Sequence, residues 1–443
     1  MISKTKNRLN ALINNKLFVK FFKNTSWLLL DKVLRIFIGL IMGVWIARYL
    51  GPEQFGLLSY AQSFVGLFLV IALLGLDAIV VKELVSHPKK RDTLLGTAFF
   101  LRIIGALIVF VLVYIANSFF NNSEKTSLLI FIIVSATFIQ SFQVIEFYFE
   151  AEVKAKYIAY SNIITLFISS IIKIIFILTQ KPLIYFAFIT MIDALILSFS
   201  LLYYYSYNHL SVKRWSIDFT LAKKLLTDSW PLILSGIVIS IYMKTDQIMI
   251  NQMLSSEANG YYAVAAKLST SWYFIPIVIS NSLFPAIISA KEESKELYLT
   301  RLQQLYTFLA WLAISVAIFI SFFSQDIIKL LYGEAFIAAS DVLIIHIWAG
   351  VFVFLGIASS KWFILENLQK YSFYRTLAGA IINLILNYIL IPYYGIIGAA
   401  IATLISQFVA SYFFNLFNKK LINTFILQTK AIFWPLYKWL KIK

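Results

Sequence analysis

Lysine and arginine alternate in density from one gap to the next between this chain's apolar runs, and that alternation limits the possible folds more than any other feature. Twelve runs reach the roughly 20 apolar residues needed to cross a bilayer core. They lie at 25–49, 56–81, 94–116, 126–149, 158–178, 183–205, 230–252, 261–288, 302–323, 342–365, 373–391 and 396–417. Of 38 basic residues, 28 fall in every second gap or at the run ends beside it (Lys361 and Arg375), four (Arg48, Lys125, Lys181 and Lys329) fall in or beside the others, and six lie deeper inside the runs. Basic loops are retained on the cytoplasmic side, so both termini are expected there. A chain folding in water has no reason to sort its charges in this way.

Composition agrees with the pattern. Hydrophobic residues make up 60% and charged residues 13% of the 443, and the mean hydropathy is +0.82. The expected fold class is therefore an all-α polytopic membrane protein with twelve transmembrane helices. A net charge of +17 would suit nucleic acid, but the basic residues are spread over seven short segments and form no domain that could grip a phosphate backbone. With no cysteine there is no disulfide, thiol chemistry or Cys-ligated metal. The first run follows a long basic segment and contains Asp31, Lys32 and Arg35, which marks a retained helix rather than a cleaved signal.

The runs divide into two sets of six. Expected boundaries are a basic N-terminal segment at 1–24, a first lobe at 25–205, a linker at 206–229, a second lobe at 230–417 and an amphipathic tail at 418–443. The tail stretch 425–440 contains Lys430, Pro435 and Lys438 and is too broken to span, so an interfacial helix is expected. The halves resemble each other: Leu50, Glu53, Gly56 and Ala61 align without a gap with Leu254, Glu257, Gly260 and Ala265. An even number of spans per copy gives both the same orientation, hence a pseudo-two-fold axis along the membrane normal. Repeats of this kind typically rock about a central site, which points to a transporter. Every gap on the sparsely charged side is short and leaves no room for a catalytic domain.

Charged groups inside spans cost about 2.5–3.5 kcal/mol each at the bilayer centre, so each needs a partner or a wet cavity. The pair Asp31 and Arg35, four apart, shares a helix face and can neutralise itself. Asp77 and Glu146 sit near span ends, where snorkelling suffices. Arg102, Lys173, Lys244 and Lys267 lie deeper, as do Asp193 and Asp246. Lys244 and Asp246 are two apart and point in different directions, so each looks to another helix or to a cavity. Deep cations outnumber deep acids, and a basic cavity attracts an anion such as a phosphate; inter-helix salt bridges are the alternative for each residue singly. Pro276 and Pro285 kink the eighth run, as a hinge or as a fixed bend. Gly39 and Gly43 permit close helix packing. His87 and His209 fall in loops and His346 stands alone, so no metal is expected, and no phosphate-binding loop of the nucleotide-hydrolase type occurs.

The motifs WLLLDKVLR at 27–35, ARYLGPEQFG at 47–56 and LGLD at 74–77 resemble those of the polysaccharide flippases. So do YMKTDQIM at 242–249, GYYA at 260–263, AKLS at 266–269 and WYFIP at 272–276. These form the Wzx-like branch of the MOP superfamily, which also holds MATE exporters and the lipid II flippase. NLILN at 383–387 and GIIGAAIAT at 395–403 are shared more widely across that superfamily. The resemblance spans nearly the whole chain and implies two pseudo-symmetric six-helix lobes in a MATE-like V around a central cavity. It also implies a polyprenyl-pyrophosphate-linked oligosaccharide as cargo, no cofactor, a bacterial inner-membrane location, and a polysaccharide polymerase and chain-length regulator as working partners. The lipid II flippase uses cations on its first, second and eighth helices. Arg35 or Arg48 and Lys267 are plausible counterparts, but no basic residue lies inside the second run here. The chain also ends after twelve runs, without that enzyme's extra helix pair, which argues against peptidoglycan precursor as cargo.

The expected function is thus a flippase for O-antigen, capsule or exopolysaccharide repeat units. Arg35, Arg48, Arg102, Lys173, Lys244 and Lys267 are the expected substrate contacts, and Asp31, Asp193 and Asp246 the ion-coupling or orienting acids. Asp246 is expected to orient Lys244 or Lys267. A MATE-type drug or cation antiporter is the alternative on the same fold, and a membrane polymerase or glycosyltransferase is the alternative from another class. A carboxylate-lined cavity would favour the antiporter.

Overall fold

A computed structural model describes residues 16–120 and 122–434. The basic residues of 1–15 and the tail residues 435–443 lie outside that range. No strand occurs among the described residues, as the bilayer requires: every backbone N–H and C=O must be paired within its own segment. Ten helical segments are long and apolar enough to cross a membrane. Two of them are each broken by a glycine outside helical geometry, giving twelve membrane-length helices among the described residues.

In chain order the helices begin with α1 (Lys16–Leu73), α2 (Leu76–Ser86), α3 (Arg91–Phe119), α4 (Glu124–Gln140) and α5 (Val144–Ala151). Next come α6 (Ala155–Leu178), α7 (Leu183–Tyr207), α8 (Phe219–Met253), α9 (Ser256–Thr270) and α10 (Phe274–Glu293). The last are α11 (Lys295–Phe322), α12 (Ser324–Tyr332), α13 (Ala339–Leu365), α14 (Gln369–Ser411) and α15 (Ile422–Ile432). The break in α1 falls at Gly51, with φ 71° and ψ 173°, and Pro52 then opens the second span with its φ preset for a helix. The break in α14 falls at Gly395, with φ 57° and ψ −138°. Both conformations are essentially closed to residues with a side chain.

The chain forms two compact units. Of the described residues, those up to Ile46 together with Phe64–Ile237 form one, and Ala47–Ser63 together with those from Val238 onward form the other. The first unit has a core around Leu76, Leu94, Leu95, Phe149, Leu201 and Tyr205. The second has one around Leu302, Tyr306, Leu309, Leu355, Phe363 and Leu421. Large apolar side chains such as Phe37, Tyr114, Phe199 and Phe319 remain exposed, as lipid-facing positions do.

Within the second unit, the reason for the internal repeat becomes visible. A Cβ built on Gly56 would lie 1.7 Å from the Ser256 carbonyl oxygen, and one built on Gly260 would lie 2.0 Å from that of Pro52. Each aligned glycine thus lets the other copy's backbone in. Asn259 Nδ2 donates to the Gly56 carbonyl at 2.8 Å, Gln252 Nε2 to Tyr60 Oη at 2.7 Å, and Ser63 Oγ to Gln247 Oε1 at 2.6 Å. Close backbone approach bridged by polar side chains is how helices associate where lipid supplies no hydrophobic drive.

Helix α15 lies lengthwise on the second unit. Gln303 Nε2 donates to the Leu427 carbonyl at 3.1 Å, and Trp311 Nε1 to that of Ala431 at 3.1 Å. Gln428 is fully buried, donating to Ser359 Oγ at 2.8 Å and to the Ser411 carbonyl at 3.0 Å.

Candidate functional site

Two polar constellations stand out, one in each unit. In the first unit a cavity of about 320 Å³ opens among α1, α4, α6 and α7. Helix α6 supplies Asn162, Thr165, Ser169 and Lys173, spaced so that all share one helix face. Helix α7 adds Thr190 and Asp193 by the same spacing, and the α4–α5 junction adds Gln140 and Gln143. Arg35 reaches in from α1.

The charges here are partly committed. Arg35 Nη2 donates to Asp31 Oδ2 at 2.7 Å, and Asn162 Nδ2 donates to the same oxygen at 3.2 Å. Asp31 is 2% exposed and the Arg35 side chain 52%, so the acid anchors the guanidinium while leaving its outer edge free. Lys173 Nζ sits 3.8 Å from Asp193 Oδ2, a loose pair that a stronger anion can displace. The walls offer two cations, amides and hydroxyls, a donor set suited to phosphate oxygens and sugar hydroxyls.

In the second unit the buried carboxylate of Asp246 accepts three bonds. They come from Tyr262 Oη at 2.6 Å, Thr403 Oγ1 at 2.7 Å and Asn387 Nδ2 at 2.5 Å. Asn387 Nδ2 also donates to Asn383 Oδ1 at 3.1 Å, and the Ala399 carbonyl, 3.0 Å from Thr403 Oγ1, is the alternative acceptor for that single hydroxyl proton. Asn387 Oδ1 is buried with no hydrogen-bond partner. The carboxylate is thus held by two hydroxyls and one amide N–H, which leave the Asn387 amide oxygen as an unengaged acceptor of the cluster. His346 borders the cluster, its ring centre 5.8 Å from that of Tyr262 and its Nδ1 2.9 Å from Ser269 Oγ. Among the described residues no three His, Cys, Asp or Glu side chains gather as a metal site.

The structure therefore brings Asp31, Arg35, Lys173 and Asp193 to one cavity. Arg102 is placed differently: it is buried, donates to Asp77 Oδ1 at 2.7 Å, and lies 4.8 Å from the centre of the Phe147 ring. Arg48 is exposed and donates to the Leu330 carbonyl at 2.5 Å. Lys244 is half-buried on α8 and forms no hydrogen bond or ion pair among the described residues. Lys267 is exposed on α9. The Asp246 carboxylate faces Tyr262, Asn387 and Thr403, and no bond joins it to Lys244.

Sequence reasoning centred on charge passes over the neutral lining. Gln140, Gln143, Thr165 and Thr190 carry no formal charge, and of these the periodicity from Asn162 to Lys173 marks only Thr165, since the others lie on different elements. Asn383, Asn387 and Thr403 are present in the shared motifs, but only folding shows that they converge on Asp246.

Among the described residues, long apolar helices with a polar constellation inside each unit define an all-α polytopic membrane fold. The chain belongs to the polysaccharide biosynthesis protein family, whose model matches residues 21–291. The MatE family model matches residues 231–389. The chain is 24% identical over 365 residues to the probable low-salt glycan biosynthesis flippase Agl15 of Haloferax volcanii, covering 81% of this chain and 75% of that protein. Its fold is similar to an inward-facing multidrug resistance MATE transporter, with a TM-score of 0.69, 17% identity and coverage of 90% and 94%. It is likewise similar to the lipid II flippase MurJ, with a TM-score of 0.67, 17% identity and coverage of 93% and 92%.

Proposed function

We propose that the protein translocates polyprenyl-pyrophosphate-linked oligosaccharide repeat units from the inner to the outer leaflet of a bacterial inner membrane, for O-antigen, capsule or exopolysaccharide assembly. The observation that carries this reading is the first-unit cavity, where Arg35 and Lys173 stand among amides and hydroxyls inside the apolar spans. A diphosphate is met by the two cations, with Asp31 and Asp193 holding them in place. The neutral glycan is met by Gln140, Gln143, Asn162 and Thr165, and the polyprenyl chain stays in lipid. Arg48, Lys244 and Lys267 supply further positive charge along the second half of the route. No bond of the cargo is made or broken. Both termini lie in the cytoplasm, and alternating exposure of the cavities to the two sides completes the cycle, drawing on an ion bound at Asp246.

The test is reconstitution of the full chain in proteoliposomes with a fluorescent pyrophosphate-linked oligosaccharide. Lys173→Gln, whose partner Asp193 is half-exposed, is expected to reduce transfer about tenfold with the thermal unfolding midpoint close to that of the parent, whereas Arg35→Gln is expected to reduce transfer and also lower the midpoint, because the buried Asp31 loses its partner. Unchanged transfer would remove the site. In cells, loss of the gene is expected to trap complete repeat units in the inner leaflet.

The MatE match and the buried Asp246 cluster favour a second reading, a cation-coupled antiporter of small molecules. A change in drug susceptibility with normal surface glycan would select it.

A further inference from the structure

In the second unit, a cavity of about 630 Å³ that shares no residue with either constellation is lined by Lys291, Lys295, Lys419 and Lys420 together with Tyr298 and Trp362. The helix ends of α10, α11 and α13 and the segment after α14 meet here. Its one acidic wall residue, Glu366, is already engaged. Lys291 Nζ lies 2.9 Å from Glu366 Oε1 and donates to the Leu365 carbonyl at 2.8 Å, and Tyr298 Oη donates to the same carboxylate at 2.8 Å. Lys295, Lys419 and Lys420 are exposed and form no ion pair among the described residues. The lining therefore carries four lysines against one carboxylate over a floor of buried Tyr298 and Trp362, while Glu292, Glu293 and Glu296, close in the chain, lie outside it.

Lys295 is the first residue of the 28-residue helix α11, so the partial positive charge of that helix end adds to its own instead of opposing it. A fold that sets a lysine there and brings three more around it concentrates positive potential in one concave place. The chain entering this site is apolar and exposed: Leu416 and Phe417 are 40% and 73% exposed just before Lys419 and Lys420. Basic headgroup contacts thus adjoin a surface that lipid tails would cover.

We propose that this cavity is a binding site for the phosphate headgroup of an anionic phospholipid from the adjoining leaflet. The lysines contact the phosphate oxygens, and Leu416 and Phe417 lie along the acyl chain. The site is separate from the translocated cargo and does not depend on the flippase reading.

Native mass spectrometry of the full chain, titrated with phosphatidylglycerol or phosphatidylcholine, tests it. One phosphatidylglycerol is expected to be retained in preference to phosphatidylcholine. Lys295→Gln, Lys419→Gln and Lys420→Gln together are expected to weaken it, by roughly fivefold per lysine. A control with Lys361→Gln and Lys370→Gln, whose side chains lie over Phe284 and Tyr371 outside the cavity lining, is expected to keep the lipid. Equal retention of both lipids, equal loss in the control, or displacement of phosphatidylglycerol by inorganic pyrophosphate at comparable concentration would each overturn the proposal. The last outcome would assign the site to a soluble phosphate.

Discussion

The side chain of Arg102 is 5% exposed and that of Asp77 61%, although 2.7 Å separates their charged atoms. The burden of that ion pair falls on the arginine. Removing Asp77 leaves a buried guanidinium without its nearest acid, which costs about 3 kcal/mol. Replacing Arg102 by Met removes the buried charge and keeps an apolar side chain against Phe147. Asp77→Ala is therefore expected to lower the unfolding midpoint in detergent far more than Arg102→Met, and the reverse order would refute the assignment. Asp246→Asn tests the other buried acid: it turns one acceptor of a three-donor cluster into a donor and costs about 2 kcal/mol. If Asp246 binds the coupling ion, the variant is also expected to make transport in vesicles indifferent to an imposed ion gradient. The Asp31–Arg35 pair is readable from its spacing, because four residues on a helix are always neighbours. The three partners of Asp246 are not, because they come from α9 and α14, up to 157 residues away in the chain.

At the scale of elements, the glycines carry the argument. Gly56 and Gly260 align in the repeat, and the structure gives the alignment its cause: each admits the other's backbone. A single methyl group at either position must push a carbonyl aside, a strain of about 1–3 kcal/mol or more. Gly56→Ala and Gly260→Ala are each expected to lower stability and transport, whereas Gly39→Ala, with open space around its Cβ position, is expected to do neither. Thermal unfolding and the vesicle assay decide between them. Gly51 and Gly395 act through conformation, since space for a side chain exists at Gly51 and its backbone angles are the obstacle. The breaks at these glycines explain why twelve apolar runs appear as ten continuous helical segments. Hydropathy locates the runs, but only the dihedral angles show where the helix axis turns.

At the scale of the whole molecule, the charge map predicts which loops share a side. The chain contains no cysteine, so single cysteines can report this without background. Gln180→Cys and Gln325→Cys are expected to react with an impermeant maleimide on intact cells, and Lys213→Cys and Gln369→Cys only after permeabilisation. Labelling of all four from outside would reject the topology. The compact units also divide the chain in a way hydropathy does not suggest, since residues 47–63 join the second unit and 206–237 the first. Linear hydropathy assigns a span by its position in the chain, whereas compactness follows which backbones come into contact.

Sequence alone determined that this is a helical membrane protein and where its apolar runs lie, and from the same pattern it predicts which loops share a side. Those properties follow from the transfer of single segments between water and lipid, an energy that depends on local composition. Tertiary structure decided which polar residues meet. It drew Arg35, Asn162, Lys173 and Asp193 to one cavity, engaged Arg102 with Asp77, and closed Tyr262, Asn387 and Thr403 around Asp246. Such meetings depend on the rotation and depth of helices distant in the chain, and these are set by packing between them rather than by any one segment. The charges inside the spans were legible from the start, but which of them pair with one another was decided by their neighbours.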